Sequence, residues 1–316
     1  MTLLETGMAV KTDDAWVIRQ VHVYSVPEFL TMVHKYCGYI PSGKSHVCLF
    51  RGQTRDYFDG NHLSIAPVAY RKAKWKKMYY SNKKELFEAL SPWEYVLSNI
   101  FSLNLRSGAV FTFQEEGDDP RVIRRFAIDA TPDGRISFNP TLMALLQHYG
   151  FPTPCLDVTS DPLIALWFSL HKADIRDGKI FYTPIADVFG NNQPDVNFKQ
   201  PSVYVYLENL NNFVYDLTQI DNIQEVAGRP FVQHAFSLSF RKTLPTAYGS
   251  RGTPKMVEVW DSPTSRPPAC VLKIHFPAEE LSRLEPYLTM KHLFPKREPM
   301  YEKLVENNVP YVVRYE

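Results

Sequence analysis

Leu145-Leu146-Gln147-His148-Tyr149-Gly150-Phe151-Pro152-Thr153-Pro154-Cys155-Leu156-Asp157-Val158-Thr159-Ser160-Asp161-Pro162-Leu163-Ile164-Ala165-Leu166-Trp167-Phe168 is the stretch whose reading decides the fold. Leu142, Leu145, Leu146 and Tyr149 recur at helical spacing after Asn139-Pro140, and Gly150 ends that helix. Pro152 to Thr159 reads as extended. A second helix starts at Asp161-Pro162 and is apolar on every side, so it is expected to be buried on every side. His148, Tyr149, Asp157, Thr159 and Ser160 therefore fall between two buried helices. Polar groups in such a place must bond to one another or to a ligand. Capping accounts for some of them equally well, with Asp161 as N-cap, Asp157 on loop amides and His148 as C-cap. A helix C-terminus favours the protonated form of His148.

Outward from this stretch, Ser25-Val26-Pro27-Glu28 has the pattern of a capping box, and a helix follows to about Cys37. His46 to Phe50 reads as a buried strand ended by Arg51-Gly52. Ser91-Pro92-Trp93-Glu94 is a second capping box. Beyond Lys179 the chain turns β-rich, with strands expected at Lys179–Pro184, Ser202–Leu207, Phe231–Phe240 and Cys270–Phe276. Helices are expected from Pro277 and over roughly Glu298–Asn307. Strands and helices intermix without strict alternation, which predicts an α+β fold with a mixed or antiparallel central β-sheet and flanking helices. Residues 1–20 read as a loose leader and 21–316 as the domain. Residues 241–268, rich in Pro, Gly, Ser and Thr, read as an excursion or lid.

Composition narrows the function classes. The chain has 316 residues and a formal net charge of +1, so no global field draws it to nucleic acid or membrane. One stretch is locally basic. Arg71, Lys72, Lys74, Lys76 and Lys77 interleave with Tyr70 and Trp75, a pattern that grips a phosphate backbone or forms a solvated face. Of the four cysteines, none sits in a C-x-x-C pair. No metal site is expected, and the thiols read as reduced and the protein as cytoplasmic. No apolar run reaches the roughly 20 residues that span a bilayer.

Two further segments carry chemistry. In Phe50-Arg51-Gly52-Gln53 a guanidinium stands at a buried strand, where it needs a partner, and a Gly permits close approach to the backbone. Arg51 suits phosphate or carboxylate, or else a structural salt bridge. In Arg229-Pro230-Phe231-Val232-Gln233-His234-Ala235-Phe236, Gln233 is expected on a strand, pointing opposite to Val232.

Together the three segments resemble the FRG domain family, whose pattern is an aromatic-Arg-Gly strand, a Leu-Leu-Gln-His-Tyr-Gly-x-Pro-Thr-x-x-Leu-Asp-x-Thr segment and a later Gln before an apolar strand. Leu293-Phe294-Pro295 fits the family's ending, and the resemblance runs from about Ser25 to Asn307. Cys155, Val158 and His234-Ala235 depart from it, the last standing where Gly is usual. The layout is similar to the ADP-ribosyltransferase fold. That similarity implies NAD as substrate, with Arg51, His148 and Gln233 in catalytic places and Arg51, Tyr149, Asp157, Thr159 and Ser160 binding the nucleotide. Gln233 would stand where the transferase carries Glu, leaving Asp157 or Glu225 as candidate acids. The implied function is an ADP-ribosyltransferase-like or NAD-cleaving effector acting on a macromolecule, in a setting such as bacterial defence against phage. The alternatives are a non-catalytic nucleotide- or nucleic-acid-binding sensor, and a hydrolase using His148 and Asp157.

Overall fold

A computed structural model describes residues 10–11, 16–17, 20–38, 46–55, 58–59, 62–63, 92–93, 95–100, 111–112, 127–130, 136–138, 140–151, 153, 155–176, 179–185, 201–209, 214–220, 223–239, 241–246, 255–263, 270–276, 288–295, 297–310, 312 and 314–315. The basic stretch from Arg71 to Lys77 and the helix expected from Pro277 lie outside the described residues.

The architecture is α+β. Its main sheet has nine strands: β1 (Val10–Lys11), β2 (Trp16–Val17), β3 (Gln20–His22), β4 (His46–Gln53), β5 (Cys155–Thr159), β6 (Ser202–Asn209), β7 (Val214–Asp216), β8 (Ala235–Ser239) and β9 (Cys270–His275). Their spatial order is β1-β2-β9-β6-β4-β5-β8-β7, with β3 also beside β9. β9 is parallel to β2 and β3, and the other pairs are antiparallel, so the sheet is mixed. Within the expected leader, β1 and β2 join the sheet edge. Within the expected excursion, Arg241–Thr246 and Lys255–Pro263 pair as antiparallel strands of a separate small sheet.

Seven α-helices among the described residues complete the frame: α1 (Val26–Cys37), α2 (Pro140–His148), α3 (Pro162–Leu170), α4 (Ile223–Val226), α5 (Gly228–Val232), α6 (Met290–Leu293) and α7 (Pro299–Glu306). Local signals start and stop them. The Ser25 hydroxyl accepts from the Glu28 amide, and the Asp161 carboxylate accepts from Leu163 and Ile164 amides. Gly150, at φ 108°, takes the left-handed turn that closes α2.

Alternation along the strands divides the core. Phe50, Val203, Val205, Leu272 and Ile274 pack with α1 and α3 on one face. Leu49, Val158, Tyr204, Tyr206 and Phe236 fill a second cluster. A third joins α2 and α7 through Leu145, Leu146, Tyr149, Met300 and Leu304. The thiols of Cys37 and Cys48 differ from the reduced state expected. The end of α1 lies beside the start of β4, with Cα atoms 5.9 Å apart, and the two cysteines form a disulfide. Cys155 is buried and lies outside that disulfide.

β4 also runs further than expected, through Arg51 and Gly52 to Gln53, because β6 pairs with it along its whole length. The element that approaches Gly52 is α3. A Cβ at residue 52 would stand 1.8 Å from the Ala165 carbonyl oxygen and 2.6 Å from the Ser169 nitrogen. Both are backbone atoms, so no side chain can move aside. Gly52→Ala should therefore destabilise the protein by about 3 kcal/mol or more. Denaturant unfolding checks this, and a midpoint close to that of the native protein would refute it.

Candidate functional site

β4 and β5 are in register at a single pair, Thr159 opposite Phe50. Past it, Arg51 reaches across and its Nη1 donates to the Asp157 carbonyl oxygen at 2.6 Å. At this seam lies a cavity of about 600 Å³, within the range of roughly 300–1,000 Å³ usual for ligand sites. Arg51, His148, Asp157, Thr159 and Gln233, scattered over more than half the chain, all line it.

Arg51 and Gln53 come from one strand, two residues apart, and so project to the same side. His148 comes from the last turn of α2, and Asp157 and Thr159 from β5. Phe168 on α3, Tyr182 and Phe294 form an aromatic wall, with Tyr182 and Phe294 ring centres 5.1 Å apart and Phe168 and Tyr182 5.9 Å apart.

The polar side of the cavity is not at charge rest. The Asp157 carboxylate receives Gln147 Nε2 at 3.4 Å and lies 4.0 Å from His148 Nδ1. Burial, opposed by the nearby Arg51, pushes its carboxyl up to about 6. The side chain is still 38% exposed, so cavity water tempers that rise. His148 moves the other way. Burial, reinforced by the Arg229 charge, lowers it to about 3, so it is neutral at physiological pH. This overturns the protonated form expected from its helix-end position. A weak dipole effect at a helix terminus loses to loss of water around a side chain that is 7% exposed. The contact with Asp157 is accordingly no ion pair at neutral pH. Burial also pushes Tyr182 up to about 12, the Arg229 charge opposing and the Asp157 charge adding.

Several expected roles are reassigned by what the atoms touch. Gln233 is not on a strand. It caps α5 with φ −93° and ψ 2°, because Gly228–Val232 is helical and β8 begins only at Ala235. Its Nε2 donates to the Leu293 carbonyl at 2.9 Å and ties down the C-terminal tail. The Thr159 hydroxyl donates to the Gln233 carbonyl and accepts from the Asp161 amide, so it joins β5 to α3 and to the α5 end. Tyr149 lies behind the wall, 2% exposed, with its hydroxyl on Glu298. Ser160 is outside the cavity lining, its amide donating to the His234 carbonyl. Glu225 is exposed on α4 and does not reach the cavity.

The residues that sequence reasoning missed are Gln53, Tyr182, Arg229, Phe294 and Glu298. Arg229 is 6% exposed, its Nη2 is 3.3 Å from Glu298 Oε2, and its guanidinium lies 4.5 Å from the Tyr149 ring centre. Its Nη1 also donates to the His148 carbonyl at 3.4 Å. Arg229 opens the segment that leads to Gln233, but its partner Glu298 is 69 residues away and no spacing announces the pair.

Residues 46–178 match the model of the FRG domain family. The chain carries an FRG domain. The match is narrower than the Ser25–Asn307 span of the resemblance. It opens at the first residue of β4 and includes Arg51, Gln53, His148 and Asp157, so the FRG domain supplies the polar side of the cavity. Arg229, Gln233 and Phe294 close the cavity from beyond the matched range. His234 has φ 45°, a left-handed conformation that Gly adopts without strain. No curated protein and no solved structure matches the chain. Among the described residues no group of side chains could hold a metal ion, and no helix is long and apolar enough to cross a membrane.

The two opposite shifts give a test of the cavity's electrostatics. An unfolded Asp157 loses its proton near the ordinary value of 3.8, whereas the folded one keeps it to about 6. Between those values the folded state holds more protons, so this group's contribution to stability falls as pH rises. Asp157→Asn removes that fall. The stability of the variant relative to the native protein should climb from pH 4 to 6 and level off above, as measured by urea unfolding across that range. A difference independent of pH would show that the carboxyl is not raised.

Proposed function

We propose that the cavity binds NAD and that the domain breaks the nicotinamide–ribose bond, in the manner of an ADP-ribosyltransferase. One observation carries this reading. Side-chain atoms without a hydrogen-bond partner among the described residues converge on a single cavity: Arg51 Nε, His148 Nε2 and Asp157 Oδ1. Buried polar atoms of this kind are rare unless a ligand or water meets them. Arg51 offers a positively charged donor for phosphate or ribose, and Phe168 and Tyr182 offer ring faces for a base.

The chemistry needs a negative charge beside the anomeric carbon. When the C1′–N bond breaks, nicotinamide leaves with the electron pair and the ribose becomes oxocarbenium-like. An oxygen or nitrogen of the acceptor then bonds to C1′ and gives up its proton. Asp157, ionised at neutral pH, is the carboxylate in the cavity able to stabilise that charge and take the proton. This replaces the assignment of Gln233, whose amide nitrogen holds the tail. The acceptor is a macromolecule in the transferase reading, inside the cell, with defence against phage as one setting; with water as acceptor the result is plain NAD cleavage.

A second reading has its own support. The Thr159 hydroxyl and the Gln233 amide nitrogen, which a transferase would aim at ribose, are engaged within the protein. This favours a nucleotide-binding module without turnover. Calorimetry with NAD and a nicotinamide-release assay separate the two. Transfer chemistry predicts that Asp157→Asn binds NAD within a few-fold of the native protein and releases nicotinamide about a hundredfold to a thousandfold more slowly. Binding without release supports the module. Neither heat nor release at millimolar NAD removes NAD from both readings.

A further inference from the structure

Gln53 is the cavity's least explained side chain. It is 5% exposed, and neither its Nε2 nor its Oε1 has a hydrogen-bond partner among the described residues. Its backbone cannot swing away, since β6 pairs with it at Ser202. By strand alternation it projects to the same side as Arg51, and it lines the same cavity as Phe168 and Tyr182.

A buried amide with both ends unmet costs stability, and a purely structural position would be better served by an apolar side chain of the same shape. The two ends of an amide are a donor and an acceptor, held coplanar about 2.2–2.3 Å apart by bond geometry. They match one kind of partner, a planar group presenting an acceptor beside a donor. We propose that Gln53 is a specificity residue that reads such an edge on the ligand, pairing Nε2–H with the ligand's acceptor and Oε1 with its N–H.

The inference rests on the NAD reading and refines it. NAD has two edges of this chemistry, the nicotinamide carboxamide and the amine-bearing edge of adenine, the latter a recurrent bidentate partner of Gln. A neighbouring ring wall suits either, because both edges belong to flat rings that stack on aromatics.

The test uses the full chain, native and Gln53→Met, with three ligands: NAD, its nicotinic acid analogue and its hypoxanthine analogue. The first analogue replaces the carboxamide donor by a carboxylate oxygen. The second replaces the adenine amine by a carbonyl. The native protein should reject one analogue by about tenfold or more in affinity, and which one names the edge that is read. In Gln53→Met that preference should shrink to near unity. A preference that survives the substitution, or equal native affinity for all three ligands, overturns the role of Gln53 and leaves the NAD reading standing. Absence of binding by any of the three overturns both. Thermal unfolding without ligand is an independent readout. Removing two unmet polar atoms should raise the Tm of Gln53→Met by about 1–4 °C. A lowered Tm would mean that the amide is needed within the protein, and it would overturn the inference whatever NAD does.

Discussion

The contact of Gly52 with the backbone of Ala165 and Ser169 is the constraint on which the site depends. It lets α3 lie on β4 closer than any side chain would allow. That depth brings the α3 start, capped by Asp161, level with the end of β5, where the Thr159 hydroxyl bridges the two. It also places Phe168 against the cavity, with Arg51 on the neighbouring strand position. The Phe-Arg-Gly triplet thus combines three jobs in sequence: Phe50 enters the core with α3, Arg51 spans the seam to β5, and Gly52 admits the helix.

Within the cavity, burial and charge act in opposition, and their balance differs from residue to residue. Arg51 and Arg229 place positive charge around a pair of groups that cannot both be solvated. The imidazole responds by staying neutral. The carboxyl resists ionisation because it is buried, but the same cations hold it within reach of neutral pH. A carboxylate near its titration point is a usable proton acceptor, which a fully solvated or tightly paired one is not.

The C-terminal tail completes the enclosure by a different means. Glu298, 1% exposed, accepts from the Arg229 amide and guanidinium and from Tyr149. Removing one member of such a buried pair would leave the other uncompensated, so the three residues hold each other in place. Gln233, through Leu293, and Phe294, through the ring wall, add the tail's contribution to the cavity.

Much of the frame was legible along the chain. The starts of α1 and α3, the stop of α2 at Gly150, the α+β class and the gathering of unexplained polar residues around His148 and Asp157 follow from spacing, caps and the rule that buried polar groups need partners. Those signals are local, or they concern single residues that burial makes conspicuous. What tertiary structure alone decided is everything set by approach across long separations. The sequence marks Gly52 as permissive but does not say that α3 is what comes close. It places Gln233 beside an apolar run but cannot show that a helix turn intervenes, since Gly228–Val232 is short and Ala235 onward is a true strand. It contains Arg229 and Glu298 with nothing in their spacing to pair them. The protonation of His148 belongs with these cases. Its position on a helix is written in the chain, whereas the loss of water that overrides the helix dipole exists only once α2, β5 and the tail have closed around it.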